Sequence, residues 1–183
     1  MFFKGGSETR LKSCVEANGD INLARIYSTP PSDFHPTSPT LLYMTKDYSV
    51  ANMYAGFVER RFSNEKSAVM HIAVPHDLVS APMEVLGEDW QDLIWHSRHP
   101  QVRLNSRSRR LPEHLQKYEE ADLLVGPMSS IASRGLENLP DKSGIQILKQ
   151  PDGRKTHQWV VTSPSLTTKM SSECKGFVWV AAP

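Results

Sequence analysis

The sequence contains few cysteines, no long apolar run and no excess of charge of either sign. Its two cysteines, Cys14 and Cys174, are too few for a disulfide scaffold, and because the first residues carry no export signal we expect both thiols to stay reduced. No apolar stretch approaches the roughly 18 residues that a membrane span needs. The 21 basic and 20 acidic residues nearly balance, which argues against a nucleic acid or a membrane surface as partner. These absences together predict a cytoplasmic protein.

What the chain does contain is a series of short apolar segments separated by polar, proline-marked connections. The 183 residues suit a single domain, residues 1–183, with a sizeable core. The predicted strands are residues 1–3 (cut short by two glycines), 68–74, 122–125, 145–149, 157–162 and 176–182. The predicted helices are residues 8–17 and 88–98, the second with Trp90, Leu93, Ile94 and Ser97 facing inward. Four prolines make residues 28–40 an irregular loop. Strands outnumber helices, which predicts an α+β fold with a split, mostly antiparallel sheet and short peripheral helices.

Residues 41–55 join a short apolar run, in which Tyr43 lies, to a third helix that carries Tyr54. Thr45 and Asp47 supply oxygens that can cap the start of this helix. The apolar positions with the spacing of one helical face are Val50, Met53, Tyr54, Phe57 and Val58. Aromatic residues at this spacing usually belong to a core, but two tyrosines placed in this way can also line a cleft that binds a flat ring. On the pattern alone, the core interpretation is the preferred one.

The segment from residue 98 to residue 110 carries five arginines and no acid. Such a run can meet the phosphates of a nucleotide or of an RNA. A solvated basic loop is the more common explanation, and it is the one adopted here. Nearby, His96 and His99 stand three residues apart, but no further residue completes a set of metal ligands, so no metal is expected.

Three segments succeed one another in an order that is typical of one family. Residues 2–7 read Phe-Phe-Lys-Gly-Gly-Ser, residues 42–54 place a tyrosine on either side of a helix start, and residues 156–166 contain Thr-His-Gln-Trp-Val-Val. Together they resemble the ADP-ribosyltransferase superfamily, in its diphtheria-toxin-like and poly-ADP-ribose-polymerase-like branch. There a strand ends in His-Gly-Ser or His-Gly-Thr, a second strand and its helix carry two tyrosines, and a late strand carries a glutamate. Here Lys4 takes the histidine position, Ser7 ends the first motif, and Gln158 replaces the glutamate.

Two further segments extend the resemblance. Residues 89–95 and 118–127 resemble an uncharacterised microbial subfamily of the same superfamily. The resemblance therefore covers most of the chain, from residue 1 to about residue 170. It implies the fold of that superfamily and NAD as the substrate nucleotide.

The resemblance also implies a role for each motif residue. Gly5 would bind the nicotinamide carboxamide through its backbone, since only a residue without a side chain allows so close an approach. Tyr43 and Tyr54 would stack on the nicotinamide ring. Lys4 would donate a hydrogen bond to the adenosine ribose but could not accept one. Gln158 would bond a ribose hydroxyl.

The replaced glutamate sets the expected chemistry. Breaking the bond between nicotinamide and ribose leaves a ribosyl cation, which a carboxylate stabilises and an amide does not. The resemblance therefore implies mono-ADP-ribosyl transfer or NAD cleavage without polymer formation, with an acceptor that the sequence does not identify. The alternative is a catalytically silent nucleotide- or protein-binding module on the same fold. For an attenuated transferase, Gln158→Glu is expected to raise NAD cleavage.

Overall fold

Two β-sheets form the framework of the structure, a computed structural model that describes residues 1–28, 32–34, 41–62, 64–100, 102 and 111–183. The strands are β1 (Phe2–Ser7), β2 (Leu42–Met44), β3 (Ser67–Ile72), β4 (Met83–Glu84), β5 (Leu123–Pro127), β6 (His157–Val161) and β7 (Val178–Ala181). The α-helices are α1 (Glu8–Lys12), α2 (Tyr48–Arg61), α3 (Gly87–Arg98), α4 (Ser133–Leu136) and α5 (Pro164–Glu173). Short 3-10 helices cover Leu23–Ile26, His76–Val79, Glu113–Tyr118 and Lys142–Gly144. The predicted α+β class is confirmed.

The first sheet has the strand order β1-β3-β7 and the second has the order β2-β6-β5-β4. Among the strands described, the β4–β5 pair is parallel and every other pair is antiparallel. The expectation of a mostly antiparallel arrangement is therefore correct. Strand β6 lies between β5 and β2, and its residue Gln158 is opposite Gly126 of β5.

The two sheets meet where β1 passes the end of β2. The amide of Phe3 donates to the carbonyl of Thr45 at 2.7 Å, and the amide of Thr45 donates back to Phe3 at 2.9 Å. This pair holds β1 of the first sheet beside the strand that carries Tyr43. The first and second predicted motifs are therefore neighbours in space.

Helix α2 lies directly against β1, and Gly5 makes this close approach possible. A Cβ atom built on Gly5 would stand 1.9 Å from the carbonyl oxygen of Ala51 and 2.6 Å from the amide nitrogen of Ala55. No side chain fits between a strand and a helix whose backbones are this close. The prediction that the glycines cut this strand short is wrong, because β1 runs through them to Ser7.

The buried face of α2 differs from the predicted one. Its buried residues are Val50, Ala51 and Ala55. The predicted apolar face includes Met53, Tyr54 and Phe57, which are 40%, 43% and 57% exposed. Small residues face β1 because the contact at Gly5 leaves no room for large ones, and the larger side chains are therefore displaced to the outside. Asp47 caps the helix, as predicted, by accepting from the amide of Ser49 at 3.0 Å.

Helix α3 covers the second sheet and confirms its predicted inward face. Trp90, Leu93, Ile94 and Ser97 are all buried. The indole nitrogen of Trp90 donates to the carbonyl of Pro127 at 2.7 Å, which ties the helix to the end of β5. Because Arg98 ends this helix, the packing of α3 also decides where that guanidinium points.

Several predicted bounds are wrong. Helix α1 ends at Lys12 rather than at residue 17. Residues 145–149 form isolated bridges instead of a strand. Helix α5 was not predicted, although Ser163 accepts from the amide of Leu166 at 3.2 Å and Pro164 follows it, which is a recognisable helix start. The loop predicted at residues 28–40 lies mostly outside the described residues. None of the helices in the described part of the chain is long and apolar enough to cross a membrane.

Candidate functional site

The side chain of Asp33 lies at the centre of a buried polar cluster. Its Oδ1 pairs with the Arg98 guanidinium at 2.5 Å. Its Oδ2 accepts from the backbone amide of Ser129 at 3.0 Å and from the Nε2 of Gln158 at 3.0 Å. We call Asp33, Arg98, Gln158 and the Ser129 amide the Asp33 cluster. Its charge is balanced internally, because one carboxylate faces one guanidinium.

Arg98 reaches this cluster from the last turn of α3. Its side chain is only 9% exposed, and a second guanidinium nitrogen donates to the carbonyl of Ile131. The Nε atom is buried and has no hydrogen-bond partner among the described residues. Arg98 therefore belongs to a buried ion pair, and its assignment to a solvated basic loop is wrong. The other arginines of that run lie outside the described residues.

Gln158 is held rigidly on β6. It is 4% exposed, and its Nε2 donates to Asp33 at 3.0 Å and to the carbonyl of Pro127 at 3.1 Å. Both partners are acceptors, so they fix which end of the amide carries the nitrogen. The amide oxygen is then the only acceptor that Gln158 can offer to a ligand.

Tyr43 flanks the cluster on the side of β2. Its hydroxyl accepts from the backbone amide of Phe34 at 2.8 Å. Burial raises the pKa of Tyr43 strongly, a bond with Ser32 opposes this, and the Asp33 carboxylate adds to the rise. The ring is half-buried and packs against the core under α3.

Tyr54 approaches the same cluster from α2. Burial raises its pKa to about 12, and the Asp33 carboxylate contributes in the same direction while Arg98 opposes it. The residue is nevertheless 43% exposed. Tyr54 is therefore an exposed aromatic residue that interacts electrostatically with Asp33 and Arg98.

The first motif takes a different part in the structure. Ser7 is the N-cap of α1, where its hydroxyl accepts from the amide of Arg10. Gly5 is enclosed by the backbone of α2, as described above. The Nζ of Lys4 donates to the carbonyl of Tyr43 at 3.1 Å and to the Ser28 hydroxyl at 3.3 Å. Of the six predicted site residues, Tyr43, Tyr54 and Gln158 meet at the Asp33 cluster, while Gly5 and Ser7 have structural roles and Lys4 lies at the far edge of Tyr43.

Residues 32–34 occupy the space between Tyr43 and Gln158. Phe34 is 2% exposed and packs into the core. A Cβ atom at Gly126 would stand 2.9 Å from its ring, so β5 needs glycine at the point where Phe34 enters. The predicted cleft is therefore partly filled by the chain itself.

A separate open groove of about 490 Å³ lies at the other end of the second sheet. Asp77, Asp122, Ser165 and Lys169 contribute to its lining, and none of the predicted site residues does. Among the described residues, no group of three His, Cys, Asp or Glu side chains could hold a metal ion. The Asp33 cluster, unlike this groove, contains a predicted site residue, Gln158.

The fold and the cluster define an α+β domain whose second sheet and helix α3 hold an acid, an amide and a guanidinium beside Tyr43. Neither the family models, nor the curated proteins, nor the solved structures yielded a match to this chain. Its resemblance to ADP-ribosyltransferases accordingly stays a prediction from motifs.

Proposed function

We propose that this domain binds NAD, or a related nucleotide with a flat ring, at the Asp33 cluster. One observation carries the proposal: residues from two distant motifs, Tyr43 and Tyr54 from one and Gln158 from the other, lie near a single Asp33–Arg98 ion pair. Aromatic faces beside a few buried polar groups are what a nucleotide base requires.

Each group in the cluster has a role that its geometry allows. The exposed face of Tyr54 stacks on the ring of the ligand. The amide oxygen of Gln158 accepts from a ribose hydroxyl, since both of its N–H groups are already used. The Nε of Arg98 is a buried donor without a partner in the described residues, and it suits an acceptor on the ligand, such as a carboxamide oxygen. Gly5 has no part in this scheme, because α2 covers it.

The same cluster accounts for a slow reaction. A ribosyl cation needs negative charge nearby, and Asp33 is the carboxylate of this cluster. Its charge is already compensated by Arg98 at 2.5 Å. We therefore propose slow NAD cleavage or mono-ADP-ribosyl transfer in the cytoplasm, to water or to an acceptor still to be identified, without polymer formation.

A second candidate is a silent binding module on the same fold. It is favoured by the position of residues 32–34, whose bonds to Tyr43 and Gln158 fill part of the space that a ligand would use. Binding without cleavage, or no nucleotide binding at all, would distinguish this candidate.

The test combines calorimetry with NAD and an assay of nicotinamide release. We expect Tyr54→Ala to weaken NAD binding by about 1–3 kcal/mol, the usual loss when one aromatic stack is removed. Met53→Ala serves as the matched control, because Met53 is the preceding residue of α2 and is similarly exposed. No heat of binding at millimolar NAD would refute the proposal. Binding with no nicotinamide released would favour the silent module.

A further inference from the structure

Two cations meet at one point of the chain, where residues 27 and 28 pass β1. The Nζ of Lys4 donates to the Ser28 hydroxyl at 3.3 Å. The guanidinium of Arg10 donates to the carbonyl of Tyr27, the preceding residue. The two charges are therefore held on consecutive residues of one backbone segment.

Neither cation has an acidic partner. All 20 Asp and Glu residues of the sequence fall in the described part of the chain, and none of them forms an ion pair with Lys4 or Arg10. Two other cations nearby do have acidic partners: Lys12 pairs with Glu8 at 2.6 Å, and Arg25 pairs with Glu16 at 2.8 Å. Lys4 and Arg10 therefore lack the counter-charge that these two neighbours have.

This arrangement disfavours the charged form of Lys4. Burial, and secondly the charge of Arg10, lower its pKa from 10.5 to about 7. The two groups that accept hydrogen bonds from its Nζ, the Ser28 hydroxyl and the carbonyl of Tyr43 on β2, are neutral. Arg10 on α1 is the one charged group that acts on it. A desolvated cation is unfavourable without a partner, and an anion that enters between Lys4 and Arg10 would supply one.

We propose that Lys4, Arg10 and the Ser28 hydroxyl bind a phosphate group of a nucleotide. A guanidinium fork, an ammonium point charge and a hydroxyl donor are complementary to phosphate oxygens. The bond from Lys4 to the carbonyl of Tyr43 joins this site to the Asp33 cluster. The inference rests on the proposed function in one respect, since the phosphate is taken to belong to the same nucleotide.

Proton uptake is the property that separates this proposal from simple attraction. Calorimetry with ADP and with pyrophosphate, in two buffers of different ionisation enthalpy, measures it directly. At about pH 8 we expect an uptake close to one proton, because Lys4 is then mostly neutral in the free protein and charged in the complex. At about pH 6 the uptake should approach zero, since Lys4 is already protonated.

Three variants make the test specific. Lys4→Arg should keep binding but lose the proton uptake, because arginine is always charged. Arg10→Gln should weaken ADP binding by about tenfold or more, as loss of a charge-assisted phosphate contact does. Lys12→Gln is the control on the same helix, and it should bind like the wild type. Thermal melting checks that each variant is folded.

The outcomes separate this site from the ring site. No binding of ADP or pyrophosphate at millimolar concentration, or binding with the same protonation in wild type and Lys4→Arg, would overturn the inference. If ADP binds with the expected proton uptake while Tyr54→Ala leaves NAD binding unchanged, the phosphate site stands and the proposed ring site fails. If NAD binding depends on Tyr54 but not on Lys4 or Arg10, the reverse holds.

Discussion

Replacing Gln158 by glutamate tests the geometry of the Asp33 cluster most directly. The sequence alone predicts that this change restores a family carboxylate and raises NAD cleavage. The structure leads to the opposite expectation, because the Nε2 of Gln158 lies 3.0 Å from the carboxylate of Asp33 and 3.1 Å from the carbonyl of Pro127. An oxygen in place of that nitrogen would face two acceptors and would have no donor.

The size of the effect follows from charge and from protonation. Two carboxylates about 3 Å apart repel by about 5 kcal/mol at an effective dielectric constant of about 20. The introduced carboxyl avoids this by keeping its proton, which at about pH 7 costs about 3–4 kcal/mol for a group with an ordinary pKa near 4.3. At about pH 5 the same cost falls to about 1 kcal/mol. Because the folded-state pKa is raised, the variant loses stability as pH rises above the unfolded-state pKa.

Urea denaturation at about pH 5 and about pH 7 measures this difference. The matched control is Gln146→Glu, an exposed glutamine of the same chain, which should change stability little at either pH. Nicotinamide release should not increase in Gln158→Glu, since a protonated carboxyl carries no charge to stabilise a cation. Wild-type stability of Gln158→Glu at neutral pH, or faster nicotinamide release, would refute the geometry described here.

A double variant sharpens the result. Asp33→Asn combined with Gln158→Glu exchanges the acid and the amide, so that the new amide can donate to the new carboxylate. We expect the double variant to be more stable than the sum of the two single changes by about 2 kcal/mol, as coupled buried neighbours often are. A coupling energy of zero would mean that the two side chains do not touch.

Three further predictions concern the rest of the molecule. Gly5→Ala should destabilise the fold by about 3 kcal/mol or more in chemical denaturation, because its Cβ would lie 1.9 Å from the Ala51 oxygen. Gly6→Ala is the control and should change stability little, because its Cβ would lie 3.6 Å from the nearest atom, in the Leu11 side chain. As pH rises from about 7 toward 10, wild type should gain stability relative to Lys4→Met, by at most about 1.4 kcal/mol per pH unit, because Lys4 then holds its proton in the unfolded chain but not in the folded one. The same pH dependence of unfolding by urea in both proteins would contradict this. Both cysteine thiols should resist a thiol reagent until the protein unfolds, because burial raises the pKa of each to about 11, and rapid labelling of the native protein would disprove it.

Regular patterns predict the fold well where the pattern reports burial directly. The apolar run at residues 68–74 and the helical spacing around Trp90 each describe an element with one dominant buried face, and both correspond to β3 and α3. The predicted buried face of helix α2 is wrong for a physical reason. Its large apolar residues satisfy the periodicity, but the glycine of a distant strand selects the face with Ala51 and Ala55 instead.

The residues of the candidate site likewise divide into those that the sequence suggested and those that it did not. Motif order predicts that Tyr43, Tyr54 and Gln158 come together, and in the structure Tyr43 and Gln158 lie beside the segment that carries Asp33. It misses Asp33 and Arg98, because one lies in an irregular segment and the other begins a basic run that suggests solvent. Their pairing depends on how α3 docks, which no local pattern encodes. An acid isolated in a proline-marked segment is the one signal that could have pointed to Asp33.

The bonds that hold Asp33 also have a consequence for how the chain folds. They connect it to residues 65, 96 and 125 positions away in sequence, so each requires a long loop to close before any energy is gained. Strands β1 and β3 can pair much earlier during synthesis, whereas Asp33 has its full set of partners only after β6 has been made. Phe34, which is buried in the finished protein, therefore stays uncovered for most of that time. Synthesis, rather than the folded state, is the stage at which this chain is most open to aggregation.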